Sequence, residues 1–158
     1  MEYVDVCIAN EEDAERSLGL RAGRSDVEAG HLEEAAYARV AHTLKRTYGF
    51  KAVAITLRES FSASHNGWSA LMLDDKDCDP SYRSRRHDIQ IVDRVGGGDS
   101  FAAGLIFGLL TKADTREALE VAVAASCLKH SIPGDFNLST ADEVEKLVQG
   151  SGSGRVER

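Results

Sequence analysis

The chain has 158 residues, 42% of them apolar and 28% charged, a composition that excludes a disordered protein. Its formal net charge of -7 argues against a nucleic-acid partner, which would need a basic face. No apolar run approaches the roughly 20 residues of a membrane span, and the acidic N-terminus does not resemble a signal peptide. We therefore expect a cytoplasmic protein without a membrane partner.

The first third of the chain predicts a strand, a helix and a second strand. Residues 4–9 are apolar and rich in β-branched side chains, which is typical of a strand. Apolar side chains then recur at helical spacing over residues 27–48, and Gly49 supplies a stop. Residues 51–57 follow as a buried strand, so we expect two parallel strands joined by a right-handed crossover.

The middle of the chain predicts an antiparallel hairpin. Asn66 and Gly67, flanked by β-compatible residues, are typical of a two-residue hairpin turn. The polar stretch 74–86 predicts an irregular segment, and residues 88–92 predict another strand.

Three helices are predicted in the remainder of the chain. The sequence GGGDSFAAGLIFGLL, residues 96–110, begins a helix so rich in apolar residues that we expect it to be buried over most of its surface. Residues 115–129 predict a second helix. A third begins at Ser139 or Thr140, either of which can act as a capping residue.

The stretch IVDRVGGGDSFAAG places three glycines and an aspartate between a strand and a helix. Backbone N–H groups in such a turn, together with the positive end of the helix, form a site for anions such as phosphate. Asp99 is placed there to take a proton from a hydroxyl group as its oxygen attacks a transferred phosphoryl group. Gly96, Gly97 and Gly98 would stabilise the developing charge through their N–H groups.

Other interpretations of these glycines remain open. Residues 96–98 can form an ordinary tight turn, with Asp99 as a helix cap. A P-loop is disfavoured because residues 19–25, GLRAGRS, have the wrong spacing and an arginine in place of lysine. A Rossmann fingerprint is disfavoured because Phe101 takes the position of a small residue and Asp99 would face the pyrophosphate.

The sequence DRVGGGDSFAAGLIFGLL resembles the C-terminal signature of the ribokinase-like (PfkB) carbohydrate kinases, usually written DTTGAGDxFxAG. The resemblance extends over residues 3–149 and is closest to the 2-keto-3-deoxygluconate kinase branch, through NEEDAE, ITLRES, NGWSA and LKHSIPGDFN. It implies a partial three-layer α/β/α fold with a mostly parallel sheet and an antiparallel hairpin, and Asp99 as catalytic base. Arg94 and Val95 stand where the family has threonines, which leaves open a monovalent-cation site in this loop.

The resemblance also implies sites for ATP and Mg²⁺. Asn10 and Asp13 match the family's NxxE motif, which organises magnesium and phosphate, with aspartate in place of glutamate. Both residues also suit the start of a helix. Thr56 and Arg58 match a TxG turn near the nucleotide, with arginine in place of glycine; a surface arginine is the alternative.

Three further assignments follow from the resemblance. Residues 123–129 would border the adenine, among them Ala124 and Cys127, although Cys127 is also typical of a small apolar core residue. Asp135 could reach the sugar or could be the turn residue of a Pro-Gly-Asp sequence. We expect His130 to be a helix-end cation or a surface residue.

These observations predict ATP-dependent phosphorylation of the terminal hydroxyl of 2-keto-3-deoxygluconate. The alternatives are a kinase for another sugar or a nucleoside, and a non-catalytic nucleotide-binding or association module. The family's N-terminal half, with its sugar-binding residues and lid, has no counterpart before Met1, so we expect poor turnover by this chain alone and exposed surface that favours self-association. Within the chain we expect a nucleotide-binding unit over residues 1–150 and a flexible tail over residues 151–158.

Overall fold

Helices pack on both faces of a mixed β-sheet, so the predicted three-layer α/β/α arrangement is confirmed. The computed structural model describes residues 1–10, 34–75 and 81–150. Asp13 and the predicted tail, residues 151–158, lie outside the described residues. In chain order the elements are β1 (Val6–Asn10), α1 (Glu34–Tyr48), β2 (Ala52–Ser60), β3 (His65–Leu73), β4 (Tyr82–Arg83), β5 (His87–Gln90), α2 (Gly97–Thr111), α3 (Thr115–His130) and α4 (Ala141–Val148).

The sheet combines one parallel pair with an antiparallel region. Strand β1 runs parallel to β2, with Val6 opposite Ala52 and Asn10 opposite Thr56. Strand β3 pairs antiparallel with β2, β4 and β5. Within the described residues the antiparallel part of the sheet is therefore larger than the sequence predicted. A short connection between two nine-residue strands, β2 and β3, permits only antiparallel pairing.

The predicted hairpin is present, but the predicted position of its turn is wrong. Asn66 and Gly67 lie inside β3, and residues 61–64 form the turn instead. The N–H of Ser62 donates to the carbonyl oxygen of His65 at 3.0 Å, and its Oγ accepts the N–H of His65 at 3.0 Å. An Asn-Gly turn requires positive φ at both residues, and neither adopts it. The side chain of Asn66 is instead completely buried.

Helix α1 covers one face of the sheet. Its apolar stripe packs against alternate residues of β2 and β3, and the shared cluster includes Tyr37, Val40, Leu44, Val53, Ile55, Leu57, Leu71 and Leu73. Gly49, with φ of 73°, ends the helix as predicted, and its N–H donates to the carbonyl oxygen of Lys45 at 2.8 Å. This layer leaves the other face of β2 and β3 for the remaining helices.

Helix α3 covers the opposite face and forms the centre of the larger core. Residues 121–130 are all buried, and the cluster around them includes Ala52, Ala54, Ala70, Met72, Phe101, Leu105, Leu119 and Val144. Helix α4 closes this layer. Of the two predicted starts, the structure selects Thr140, whose N–H donates to Glu143 Oε2 at 2.7 Å and whose Oγ1 accepts the N–H of Glu143 at 3.3 Å.

Helix α2 packs one stripe against α3 and leaves the other open. Its buried residues include Phe101 and Leu105, whereas Ile106, Phe107 and Leu110 are 56%, 47% and 80% exposed. The prediction that this helix is buried over most of its surface is therefore wrong for the described residues, because α2 packs mainly against a single neighbour. No helix in the described ranges is long and apolar enough to cross a bilayer.

Candidate functional site

The loop that leads into α2 is held by the carboxylate of Asp93. Its Oδ1 accepts the N–H of Val95 at 3.0 Å, and its Oδ2 accepts the N–H of Gly134 at 2.8 Å. These two hydrogen bonds are the main reason why the pKa of Asp93 lies below its usual value. An ionised Asp93 therefore connects the turn formed by residues 96–98, the glycine turn, to the loop that follows α3.

Helix α2 begins with backbone donors that have no partner in the part of the chain that the structure describes. Gly96 is its N-cap, with φ of 78°, and supplies no capping side chain. The N–H of Gly97 donates to the carbonyl oxygen of Arg94 at 3.2 Å. The N–H groups of Gly98 and Asp99 have no hydrogen-bond acceptor in the described part of the chain. Two donors at the positive end of the helix are thus available for an anion, whereas that of Gly97 is used within the turn.

Two of the three glycines are required by the packing around the turn. A Cβ on Gly96 would overlap the backbone carbonyl oxygen of Asp135, and a Cβ on Gly97 would lie 2.7 Å from Cε1 of His130. The segment after α3 therefore packs directly on the turn. A Cβ on Gly98 would meet no atom of the described residues within 4 Å, so on their side this position borders open space where a ligand can approach.

Asp99 is the third residue of α2, and its side chain is exposed. Its carboxylate has no hydrogen bond or ion pair with any residue in the ranges that the structure describes. The alternative in which Asp99 caps the helix is wrong, because the N-cap is Gly96 and no side chain forms a cap hydrogen bond. The carboxylate of Asp99 is therefore accessible to a substrate. It lies next to the N–H groups of Gly98 and Asp99, which have no acceptor among the described residues.

His130 is a buried neutral residue, not the helix-end cation or surface residue expected from the sequence. It is 3% exposed, and burial is the main cause that lowers its pKa. Its Nδ1 lies 2.7 Å from the carbonyl oxygen of Ser126, so this nitrogen carries the proton and donates. Its own carbonyl oxygen accepts the N–H groups of Val92 and Asp93 at 2.8 and 3.2 Å. The ring of His130 thus packs against Gly97, and its carbonyl oxygen holds the two residues that lead into the glycine turn.

A signal for His130 and its neighbour Lys129 was present in the sequence. Lys129 is completely buried. In the sequence, Ala122, Val123 and Ser126 recur at the spacing of one helix face, and one further turn of the same face reaches both residues. The charge of lysine and the polarity of histidine favoured exposure in the sequence, so this spacing alone did not decide their position.

The predicted residues of the sheet lie together on the face that α3 covers. Asn10, the last residue of β1, is the direct partner of Thr56, which lies in the middle of β2 and not in the predicted turn. Their side chains share the face of Ala54, which packs in the core around α3. Arg58 is two residues further along the same face, opposite Trp68. Carboxyl ends of parallel strands are the usual location of ligand sites in open α/β sheets.

Arg58 is linked to the glycine turn through two aromatic rings. The ring of its strand partner Trp68 lies 4.9 Å from the ring of His130, centroid to centroid. The ring of His130 in turn contacts Gly97. The sheet residues and the glycine turn therefore belong to one connected region.

Arg94 connects the glycine turn to the hairpin between β2 and β3. Its Nη2 donates to the carbonyl oxygen of Ala63 at 2.6 Å. With the amide of Asn66 oriented so that its nitrogen faces the carbonyl oxygens of Ser62 and His65, its oxygen accepts from Arg94 Nη1 at 3.2 Å. Together with the two bonds from its amide nitrogen, this bond satisfies the buried side chain of Asn66, whose backbone is paired in β3.

Ala124 and Cys127 are core residues, with exposed fractions of 0% and 1%. In the described residues neither offers surface to a nucleotide, which agrees with the alternative of Cys127 as an apolar core residue; burial raises the pKa of its thiol. Within the predicted adenine segment, Ala125 instead lines a cavity of about 190 Å³. This cavity lies between α2, α3 and α4 and begins beside Ser100, one residue after Asp99.

The structure brings Asp135 to the glycine turn, but through its backbone. Its carbonyl oxygen lies against Gly96, while the residue as a whole is exposed. No group of three or more His, Cys, Asp or Glu residues within the described ranges could hold a metal ion. Magnesium in phosphate sites commonly takes only one or two protein ligands beside phosphates and water, and of the predicted pair only Asn10 is described.

Comparison with known proteins identifies relatives over nearly the whole chain. The profile of the pfkB family carbohydrate kinases matches residues 1–140. A 2-dehydro-3-deoxygalactonokinase of Haloferax volcanii is 26% identical over 151 residues, which cover 96% of this chain and 40% of the relative. The crystal structure of a 2-dehydro-3-deoxygluconokinase from Thermotoga maritima is 49% identical, with a TM-score of 0.83, and the match covers 94% of this chain and 42% of that one.

A more distant structure shares only the fold. The adenosine kinase from Sinorhizobium meliloti is 20% identical, with a TM-score of 0.60 over 94% of this chain and 37% of that chain. This likeness confirms the predicted ribokinase-like fold. The chain spans about two fifths of the length of the relatives that it matches.

Proposed function

The chain belongs to the pfkB family of carbohydrate kinases, and on that premise we propose that the protein transfers the γ-phosphoryl group of ATP to the terminal hydroxyl of 2-keto-3-deoxygluconate. This compound is also named 2-dehydro-3-deoxygluconate. The similarity to kinases named for 2-dehydro-3-deoxygluconate and 2-dehydro-3-deoxygalactonate supports a substrate of this class. We place the nucleotide-binding part of the reaction in residues 1–150.

The observation that carries the proposal is an exposed carboxylate at the start of α2, beside two backbone donors that have no acceptor among the described residues. Asp99 accepts the proton of the sugar hydroxyl group while the oxygen of that hydroxyl group forms a bond to the γ-phosphorus. The bond from this phosphorus to the oxygen that bridges the β- and γ-phosphates breaks, and ADP leaves. The N–H groups of Gly98 and Asp99 stabilise the charge that develops on the phosphoryl oxygens.

We propose that, on the side of the sheet, the phosphates and magnesium bind beside the paired residues Asn10 and Thr56. Asn10 ends β1, and Thr56 lies opposite it within β2, so both polar side chains border the carboxyl end of β1, where a ligand can bind. Bound Mg²⁺ would neutralise phosphate charge. Asn10 would contribute an amide oxygen and Thr56 a hydroxyl group, while Asp13 remains a prediction. Arg58, on the same face, adds positive charge.

We place the adenine in the cavity beside Ser100 and Ala125, whose lining is mostly apolar. In this arrangement ATP binds more tightly than inorganic tripolyphosphate, because the base adds apolar contacts. Ala103→Phe, at an exposed position of α2 that lines the cavity, should remove this difference without unfolding the helix. Equal binding of ATP and tripolyphosphate by the unmodified protein would contradict this placement.

The proposed reaction is tested by measuring ADP release with a panel of acceptors. The panel contains 2-keto-3-deoxygluconate, 2-keto-3-deoxygalactonate, ribose, fructose and a nucleoside. Asp99→Asn should lower the rate with the best acceptor by roughly 10²–10⁴-fold, as expected for the loss of a general base. Asp142→Asn is the matched control, because Asp142 is also an exposed acid in the first turn of a helix, far along the chain from the glycine turn.

Each outcome of this assay has a definite meaning. Equal rates for the unmodified protein and Asp99→Asn would remove Asp99 from the mechanism. A preference for ribose, fructose or the nucleoside would assign another substrate. Binding of ATP without transfer to any acceptor, even when a polypeptide matching the rest of the relatives' length is supplied, would favour the non-catalytic nucleotide-binding module.

A further inference from the structure

Lys129 is an unusual residue, because its side chain is completely buried in the last turn of α3. Its Nζ donates to the carbonyl oxygen of Ile132 at 3.0 Å. Its Cε lies 3.1 Å from the place where a Cβ on Gly96 would stand. Lysine is almost never fully buried without a charged partner, because removing an ammonium group from water is unfavourable. The Lys129 side chain is nevertheless buried beside Gly96, and it is close enough to Asp93 to lower the pKa of that carboxyl group.

The charge of Lys129 is not cancelled by a contact. Within the described ranges no carboxylate lies within 4 Å of its Nζ. The pKa of Asp93 is lowered mainly by hydrogen bonds from Val95 and Gly134, and the charge of Lys129 adds to this effect. The carboxylates of Asp99 and Asp135 are exposed at the same turn.

The Lys129 side chain lies at the same turn as the two backbone N–H groups that have no acceptor among the described residues. Lys129 lies against Gly96, and the free N–H groups of Gly98 and Asp99 follow within three residues. A positive charge in a buried environment is poorly screened and acts over several ångströms. An anion held by the two N–H groups therefore experiences the charge of Lys129 as well.

We propose that Lys129 is a positioning residue for phosphate at the glycine turn. Its buried charge strengthens the attraction of the Gly98 and Asp99 N–H groups for phosphate, and its bond to Ile132 holds the following loop against Gly96. The inference rests on the proposed function, because it assumes that the phosphates of ATP bind here. The sequence left open whether the loop of Arg94 and Val95 holds a monovalent cation. If the positive charge comes from Lys129 instead, replacing potassium by sodium at constant ionic strength should leave phosphate affinity unchanged.

The test compares three variants by calorimetry with inorganic tripolyphosphate and with ATP and Mg²⁺. Lys129→Met removes the charge at similar side-chain length, and Lys129→Arg keeps the charge. Lys51→Met is the control for net charge, because Lys51 is 69% exposed and pairs with Asp5 on the surface. Thermal unfolding of every variant shows whether the fold is intact.

We expect Lys129→Met to bind tripolyphosphate about tenfold more weakly, as for the loss of one nearby, poorly screened charge. Lys129→Arg should recover part of the affinity, and Lys51→Met should match the unmodified protein. In the kinase assay the KM for ATP should rise more than kcat falls, because Lys129 does not touch the reacting atoms. A merely structural role would lower the unfolding temperature and leave the affinity of the folded protein unchanged.

A measurement on the unmodified protein covers the case in which the variants do not fold. In protein labelled with ¹⁵N-lysine, a buried ammonium group exchanges its protons slowly and gives a separate NMR signal. This signal should shift when tripolyphosphate is added.

An unchanged signal, or a folded Lys129→Met variant with full affinity, would overturn the role of Lys129 while the proposed kinase function stands. If the unmodified protein binds neither tripolyphosphate nor ATP, both proposals fail.

Discussion

The backbone carbonyl oxygen of Asp135 occupies the space that a side chain on Gly96 would need. Gly96 also has φ of 78°, a conformation that side chains other than glycine rarely adopt. The glycine turn and the loop after α3 are therefore fitted to each other, and the absence of a side chain at Gly96 is a condition of that fit.

Gly96→Ala should destabilise the protein by roughly 2–4 kcal/mol, the sum of backbone strain and overlap with Asp135. Gly134→Ala is the matched control, because Gly134 has φ of 80° but open space around its Cβ position. It should lose only the backbone part, about 1 kcal/mol. Urea unfolding measures both variants, and equal losses would show that the contact with Asp135 is unimportant.

Gly97→Ala and Gly98→Ala should change stability in opposite directions. A methyl group on Gly97 would meet the buried ring of His130, and overpacking of this kind costs about 1–3 kcal/mol. A methyl group on Gly98 meets nothing, so this variant should gain about 0.4–1 kcal/mol from reduced freedom of the unfolded chain. Thermal unfolding gives the stabilities. Calorimetry with tripolyphosphate should show weaker binding for Gly98→Ala, whose methyl group enters the open space; unaltered binding would place the phosphate elsewhere.

The stability of the protein should fall as the pH drops through 6.5, the ordinary pKa of histidine. Burial lowers the pKa of His130, and Arg94 and Lys129 disfavour its protonation further. The unfolded state then binds more protons than the folded state, so the contribution is present above pH 6.5 and is lost below it. The pKa of His87 is lowered in the same sense by burial.

This pH dependence is measured by urea unfolding between about pH 8 and pH 5.5, above the range in which most carboxylates titrate. His130→Gln should have a smaller decrease in unfolding free energy than the unmodified protein. The pH dependence of the unfolding free energy that remains in His130→Gln should largely disappear in the variant that also carries His87→Gln. Identical pH dependence in the unmodified protein and His130→Gln would show that His130 is protonated without penalty in the folded state.

Arg94→Ala should loosen the hairpin turn while leaving the centre of the sheet intact. The guanidinium group holds Ala63 and Asn66, so its removal should raise hydrogen exchange at the amides of residues 61–65 by about three- to tenfold. Arg85→Ala is the control, because Arg85 also donates to a backbone carbonyl, that of Val148, at a different surface. Faster exchange throughout β2 and β3 would indicate general destabilisation instead.

The exposed apolar stripe of α2 should promote self-association. Ile106→Lys combined with Leu110→Lys should lower the apparent mass at high protein concentration, because these side chains are 56% and 80% exposed. Sedimentation velocity measures the mass, and circular dichroism checks that the helix remains. A monomer at all concentrations without these substitutions would contradict the prediction.

Local sequence patterns predicted most of the elements correctly. The stop at Gly49, the helix that starts in the glycine turn, and the long helix from Thr115 depend on residues within a few positions of each other. The prediction that Asp99 is the catalytic base, which stays a prediction, also came from a local motif. Such signals survive without knowledge of the fold, because they reflect backbone conformation and hydrogen bonding between neighbours.

Other positions were decided by segments far away in the chain. Asn66 and Gly67 have the composition of a turn, yet Asn66 is recruited into β3 by Arg94, which lies 28 residues later. Ala124 and Cys127 were expected beside a nucleotide and instead lie in the core, because α3 is enclosed by the sheet on one side and α2 on the other.

The sequence by itself determined the family motif, the glycine turn and the acid within it, since these are encoded by adjacent residues. Only the tertiary structure decided that Lys129 and His130 lie buried beneath this turn, and that Asp135 meets it through the backbone. The physical reason is that burial depends on which distant surfaces come together. A charged or polar side chain can be buried only where the fold brings a partner to it.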